Sequence, residues 1–133
     1  MPSELDSALP TGTVTFLFTD IEGSTALLTR LGETYVTLLE RHAEILRSAI
    51  TSNGGTEVST EGDAFFAVFP SAPDSISAAT QAQGELEGTD WPDGAAVRVR
   101  MGLHTGLAQL GGDNYVGLDI HRAARIAAAA HGG

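Results

Sequence analysis

Apolar and β-branched side chains dominate the first clearly patterned segment of the chain, residues 13–19. The run hardly alternates with polar residues, which is typical of a strand that is buried on both faces. After this segment the apolar spacing changes to three and four residues, which predicts two successive helices with an interruption at Gly32. The second and longer helix covers residues 35–50 and is expected to end at Asn53-Gly54-Gly55, because glycine commonly terminates helices.

Two short strand-like runs follow, over residues 56–60 and 64–69, and Glu61-Gly62-Asp63 lies between them. Glycine readily adopts the backbone angles of a tight turn, so these runs predict a β-hairpin. Residues 70–74 then predict a loop, and residues 76–86 predict a helix that Asp74 or Ser75 could cap.

The remaining pattern predicts strands over residues 97–104 and 106–110, a turn over 111–114 and an alanine-rich helix over 117–130. The order β-α-α-β-β-α-β-β-α predicts an α/β (α+β) sandwich of ferredoxin-like type, with a mostly antiparallel sheet and helices on one face. We expect one domain over residues 13–133, after a flexible leader over 1–12. The chain stops where another strand would be expected, which predicts that the C-terminal strands are missing.

Charge and composition narrow the classes of function. The chain has 17 acidic residues against 7 basic ones and a net charge of −10. All of its basic residues are arginines, and this balance argues against direct binding to a nucleic-acid backbone. There is no cysteine, no apolar stretch of the roughly 18 residues that a membrane span needs and no secretion signal at the N-terminus. We therefore expect a cytoplasmic protein without membrane contact.

A carboxylate at the end of the first strand is the main candidate for chemistry. Asp20 is followed by Gly23, Ser24 and Thr25, and Asp63 comes about forty residues later, at the predicted hairpin turn. Carboxylates at strand ends can hold divalent metals, and a glycine turn that opens a helix offers backbone N–H groups to phosphate. Together these features favour a two-metal phosphoryl-transfer site. The alternatives are that Asp20 is a helix cap and that Asp63 is an ordinary turn aspartate.

Four segments of the chain resemble the catalytic domain of class III nucleotidyl cyclases, in the variety that actinobacteria often fuse to ATPase and helix-turn-helix modules. The resemblance covers about residues 12–133. The segments that carry it are Phe18-Thr19-Asp20-Ile21-Glu22-Gly23-Ser24-Thr25, Glu61-Gly62-Asp63-Ala64-Phe65, Arg100-Met101-Gly102-Leu103-His104-Thr105-Gly106 and Tyr115-Val116-Gly117-Leu118-Asp119-Ile120-His121-Arg122-Ala123-Ala124-Arg125.

The resemblance implies a site that holds two Mg²⁺ or Mn²⁺ ions. Asp20 and Asp63 would bind them together with the backbone carbonyl of Ile21, and the amides of residues 23–25 would cradle a triphosphate. In the family, one metal lowers the pKa of the ribose 3′-hydroxyl and the other neutralises charge on the phosphates.

The resemblance also implies a site shared between two subunits of a homodimer. Arg125 falls on the position of the transition-state arginine, although a solvated helix arginine is the alternative. Three positions depart from the pattern of active members. Ser59 replaces the adenine-selecting lysine, Asn114 replaces its acidic or threonine partner, and His121 replaces the ribose-orienting asparagine.

Two functions are therefore expected. The first is conversion of ATP, rather than GTP, to 3′,5′-cyclic AMP and pyrophosphate, with low activity. The alternative is a catalytically degenerate cyclase-homology module that dimerises or binds nucleotides in signalling or transcription control.

Overall fold

The computed structural model describes residues 12–111 and 114–116 of the chain, and of residues 109–111 and 114–116 it describes only the backbone. Residues 1–11 of the leader predicted over 1–12 and the helix predicted over 117–130 lie outside this part, whereas Gly12 is the first residue of a strand. The helices within it are α1 (Ser24–Leu31), α2 (Thr34–Ser52) and α3 (Ala72–Glu87), with a short 3₁₀ turn at Pro92–Gly94. The strands are β1 (Gly12–Ile21), β2 (Thr56–Glu61), β3 (Ala64–Phe69), β4 (Val99–Gly111) and β5 (Asn114–Val116).

The strands form one sheet in the order β2-β3-β1-β4-β5, and neighbouring strands are antiparallel. β1 is central, since it pairs with β3 on one side and with β4 on the other. The order of the first four strands and their orientation are those of a ferredoxin-like fold, which confirms the predicted fold class.

The helices cover one face of the sheet. Leu17 and Ile21 of β1 pack there with Leu38 and Ile45 of α2, and all four are nearly inaccessible to solvent. Alternate residues of the same strands point to the opposite face, where Phe16 belongs to a second apolar cluster. Both faces of β1 are therefore buried, which explains why its sequence hardly alternates.

Two predicted boundaries are wrong. The segments expected as two strands over 97–104 and 106–110 form the single strand β4, because Thr105 and Gly106 continue the pairing with Thr15 and Val14 of β1. Helix α3 begins at Ala72, inside the predicted loop. Its N-cap is Ser71, whose hydroxyl accepts a hydrogen bond from the Asp74 amide (3.4 Å). The proline in its first turn is compatible with a helix, since an N–H group there has no acceptor within the helix.

Within the described part of the chain, no helix combines the length and the apolar character needed to cross a membrane.

Candidate functional site

Asp20 and Ile21 end the central strand β1. The amide of the next residue, Glu22, donates to the carbonyl of Arg98 (2.7 Å), which holds the chain against the start of β4. Gly23 then adopts a left-handed conformation (φ 68°), and α1 begins at Ser24. This conformation costs glycine little, because it has no Cβ.

The start of α1 presents unused backbone donors. The first helical hydrogen bond runs from the Leu27 amide to the Gly23 carbonyl (3.1 Å), so the amides of residues 24–26 have no acceptor within the helix. The N-cap residue is Gly23, and no side chain forms a capping hydrogen bond at this end of α1. The structure therefore contradicts the alternative that Asp20 caps the helix. The turn therefore has donors for an anion.

Asp63 approaches β1 from the hairpin between β2 and β3. Glu61 pairs with Ala64, so Gly62 and Asp63 form a two-residue turn. Gly62 has φ 57°, which is the sign that the first central residue of a type II′ turn needs. The Asp63 carboxylate accepts a hydrogen bond from the Ile21 amide at 2.7 Å. The fold thus brings Asp63 to the end of β1, beside Asp20.

Arg100 is the partner of Asp20. The two residues face each other across the β1–β4 ladder, and the guanidinium donates to both carboxylate oxygens, from Nε at 2.6 Å and from Nη2 at 2.8 Å. About a quarter of each side chain is exposed (27% and 26%). The hydrogen bond to Asp20 raises the pKa of Arg100, and the charges of Glu22 and Asp63 act in the same direction. The Arg100 guanidinium is therefore bonded to one carboxylate, and its charge is further stabilised by two others.

Two buried side chains lie near Asp63 on the helix side. Burial, followed by the charge of Asp63, raises the pKa of Tyr35 of α2, and the side chain of Ser24 acts in the opposite direction. His42 lies further along α2 and packs edge-on against Phe65, with a distance of 5.7 Å between the two ring centroids. Burial lowers the pKa of His42 to about 4, so its ring is neutral at pH 7.

The donor set at the end of β1 fits a hard divalent cation in part. Carboxylate and backbone carbonyl oxygens are the ligands that Mg²⁺ and Mn²⁺ prefer. Among the described residues no three acidic, histidine or cysteine side chains converge closely enough to hold a metal. Mg²⁺ usually keeps several waters and binds one or two carboxylates plus substrate phosphates. Asp20, Asp63 and the Ile21 carbonyl therefore suit an ion that arrives with a polyphosphate.

The other predicted site residues are spread more widely. Ser59 lies on β2 with an exposed side chain, and Asn114 begins β5, where only the backbone is described. His121 and Arg125 lie outside the described residues, so their roles stay predictions. Sequence reasoning missed Arg100 and Tyr35 as site residues. Arg100 lies in one of the four segments that carry the resemblance, but only the strand register shows that it faces Asp20.

Comparisons with known proteins identify the family of this chain. The chain belongs to the adenylate and guanylate cyclase catalytic domain family, whose model matches residues 7–123. It is 40% identical over 126 residues to an uncharacterized protein of Mycobacterium tuberculosis, covering 93% of this chain and 42% of that protein. An adenylate cyclase of Podospora anserina is 33% identical over 149 residues, covering 93% of this chain and 7% of the relative.

A solved structure gives the same result. One of the adenylate cyclases from Trypanosoma brucei, in the monomeric state, superposes with a TM-score of 0.85 at 28% identity, covering 93% of this chain and 72% of the other. By contrast, this chain spans less than half of the length of the mycobacterial relative.

Proposed function

We propose that this domain binds ATP together with two Mg²⁺ or Mn²⁺ ions and converts it, at low rate, to 3′,5′-cyclic AMP and pyrophosphate. The observation that carries the proposal is the hydrogen bond from the Ile21 amide to Asp63, which places the two candidate metal carboxylates at the same end of β1. Membership of the cyclase family supports the reaction type, and similarity to an adenylate cyclase of Podospora anserina supports ATP rather than GTP.

The reaction joins the ribose 3′-oxygen to the α-phosphorus and breaks the bond from that phosphorus to the oxygen that bridges the α- and β-phosphates, which leaves with pyrophosphate. The 3′-hydroxyl proton passes to water. Divalent cations, when bound, supply charge neutralisation and a more acidic 3′-hydroxyl. Asp20, Asp63 and the Ile21 carbonyl would hold these ions.

The chain's own groups then bind and orient the substrate. The amides of residues 24–26 are unused donors that suit phosphate oxygens. Arg100 is a cation at the same end of the sheet, and its fork of donors matches a phosphate as well as it matches Asp20.

The shared site at a homodimer interface belongs to the same proposal. Arg125 from one subunit would stabilise charge on the α-phosphoryl group, and His121 would contact the ribose. A mixed dimer of Asp63→Ala and Arg125→Ala chains is then expected to recover one working site. If the two variants fold, dimerise and still fail to complement each other, the site is not shared.

The alternative function is a cyclase-homology module that dimerises or binds nucleotides without turnover. The exposed Ser59 favours it, because a serine hydroxyl cannot replace an ammonium group aimed at the purine. In this reading Asp20 and Asp63 still bind a metal–nucleotide complex, and no cyclic product forms.

One experiment separates the two functions. Cyclic nucleotide formation from ATP and from GTP is measured with Mn²⁺ at high protein concentration, and Mn²⁺ affinity is measured on the same samples by electron paramagnetic resonance. Asp20→Ala is expected to abolish product and to weaken Mn²⁺ binding by about tenfold or more. Asp90→Asn, which removes an exposed carboxylate from a loop, is the matched control and should change neither.

The outcomes are distinct. Product that disappears in Asp20→Ala establishes the cyclase. Mn²⁺–ATP binding without product, in a folded dimer, favours the degenerate module. Unchanged Mn²⁺ affinity in Asp20→Ala would remove Asp20 from the site.

A further inference from the structure

Strand β2 contains a register break next to the predicted purine position. Glu57 pairs with Ala67, but Ser59 pairs with Phe66, so Val58 is an extra residue without its own partner on β3. This is a β-bulge, which changes the face that later side chains occupy.

The bulge decides which way each side chain of β2 points. Ala67 belongs to the helix-side core, whereas Phe66 belongs to the cluster on the opposite face. Glu57 therefore faces the helices and Ser59 faces away from them. Thr60 pairs with Phe65, another helix-side residue, so Thr60 faces the helices again.

Three side chains bridge this bulge on the helix side, and we call Arg47, Glu57 and Thr60 the bulge clamp. Arg47 of α2 donates to both oxygens of Glu57, from Nε at 2.9 Å and from Nη2 at 3.4 Å. The hydroxyl of Thr60 donates to the same carboxylate. Glu57 precedes the bulge and Thr60 follows it, so one carboxylate ties the two sides of the irregularity together.

The clamp is also fixed to the core beneath it. The Arg47 guanidinium lies 5.3 Å from the ring centroid of Phe65, which is buried and pairs with Thr60. The hydrogen bonds from Arg47 lower the pKa of Glu57, so the carboxylate stays charged at neutral pH. An exposed ion pair by itself contributes little to stability. The ion pair between Arg47 and Glu57 lies at a bulge, so we expect it to fix the strand register rather than to add much stability.

The position of Asp63 depends on the register of β2 as well as on the pairing of β3 with β1, because the turn that carries Asp63 has only two residues between Glu61 and Ala64. A slip of one residue would shift the strand by about 3.3 Å and would turn its side chains to the other face. That shift is longer than the 2.7 Å hydrogen bond from the Ile21 amide to Asp63. Loss of the bulge would therefore remodel the two-residue turn that holds Asp63 against the Ile21 amide.

We propose that Glu57 and Thr60, held by Arg47, are positioning residues that fix the bulge and thereby place Asp63 against Ile21. The same bulge turns Ser59 to the face of the sheet away from the helices. The geometric part stands on the strand register alone. Its consequence for metal binding rests on the proposed function, in which Asp63 holds a divalent cation.

The test uses two single variants of the clamp, one double variant that exchanges its charges, and one control. Glu57→Gln removes the ion pair, and Thr60→Val removes the hydroxyl but keeps a β-branched side chain of similar shape. Glu44→Gln is the matched control, since it removes the other ion pair of α2, in which Arg41 and Glu44 lie 3.4 Å apart and both are exposed.

Two readouts separate the clamp from the metal site. Amide hydrogen exchange and the NMR chemical shift of the Ile21 N–H report the bond to Asp63 without any metal, and Mn²⁺ affinity reports the consequence. Both clamp variants are expected to speed Ile21 exchange and to weaken Mn²⁺ binding by about tenfold, the low end of the range for residues that orient metal ligands. Glu44→Gln should leave both readouts unchanged. The swap of Arg47→Glu with Glu57→Arg should restore part of the loss.

Each outcome decides the question. An Ile21 amide that keeps its shift and its exchange rate in Glu57→Gln and Thr60→Val overturns the positioning role. If the wild-type protein binds no Mn²⁺, the proposed function fails, while the Ile21 amide still decides whether the clamp positions Asp63.

Discussion

Replacing His42 with leucine should remove much of the acid sensitivity of this fold. His42 is fully buried in α2, and within the described residues neither of its ring nitrogens has a hydrogen-bond partner of good geometry. The carbonyl of Leu39, on the preceding turn, stabilises the charged form only weakly. Burial dominates and lowers the pKa of His42 from 6.5 to about 4, although the negative charge of Asp63 opposes the shift.

The sign and size of the effect of His42 on the free energy of unfolding follow from proton linkage. Above pH 6.5 the imidazole is neutral in both the folded and the unfolded chain, so it does not affect stability. As the pH falls from 6.5 to 4, the unfolded chain takes up a proton that the folded chain excludes, so the free energy of unfolding falls. The pKa difference corresponds to about 2 kcal/mol at pH 5 and to about 3 kcal/mol below pH 4.

The assay is urea unfolding of the wild type and of His42→Leu at pH 7.5 and at pH 5. The wild type should lose about 2 kcal/mol more than the variant between these two pH values. All other ionisable side chains are present in both proteins, so the difference between the two losses reports residue 42. Equal losses in the two proteins would refute the reasoning, because they would mean that His42 accepts a proton in the folded state.

Two further changes test other parts of the structure. In Gly55→Ala the new Cβ would lie 2.6 Å from Cζ of the buried Phe69 ring, so urea unfolding should show that the free energy of unfolding falls by about 1–3 kcal/mol. The control is Gly84→Ala on α3, where the new Cβ meets open space. This variant should be neutral or stabilising by up to about 1 kcal/mol. Ser59→Lys should raise the rate with ATP, or its selectivity over GTP, by about tenfold if β2 faces the purine. Ser77→Lys on the exposed face of α3 is the charge control, and an equal effect of both lysines would exclude Ser59 from the purine pocket.

Much of the fold could be predicted from the sequence because local patterns decide it. The apolar run of β1, the helical spacing of α2 and the glycine turn before Asp63 each specify one local structure, and all three are confirmed. The start of α3 differs from the prediction because proline is common in loops but is also accepted in the first turn of a helix. The break expected near Thr105 is absent, since pairing with β1 carries β4 through it.

The candidate site was less accessible to sequence reasoning. Asp20 and Asp63 could be proposed because a strand end and a turn are visible in the pattern. The pairing of Arg100 with Asp20 spans 80 positions and depends on the β1–β4 register. The bulge at Val58 could not be predicted either, because it reflects how β2 meets β3 and not a property of its own residues.

Under the proposed function, the pair formed by Arg100 and Asp20 makes cation binding at that carboxylate an exchange. An arriving divalent ion must release a guanidinium that is held by two short hydrogen bonds, so part of its attraction is spent on displacement. When the ion arrives with a polyphosphate, the released guanidinium gains an anionic partner close by. Metal and polyphosphate then strengthen each other's binding by the same factor, as linkage requires. Titration with the metal alone would therefore understate the affinity that the domain has for the metal–nucleotide complex.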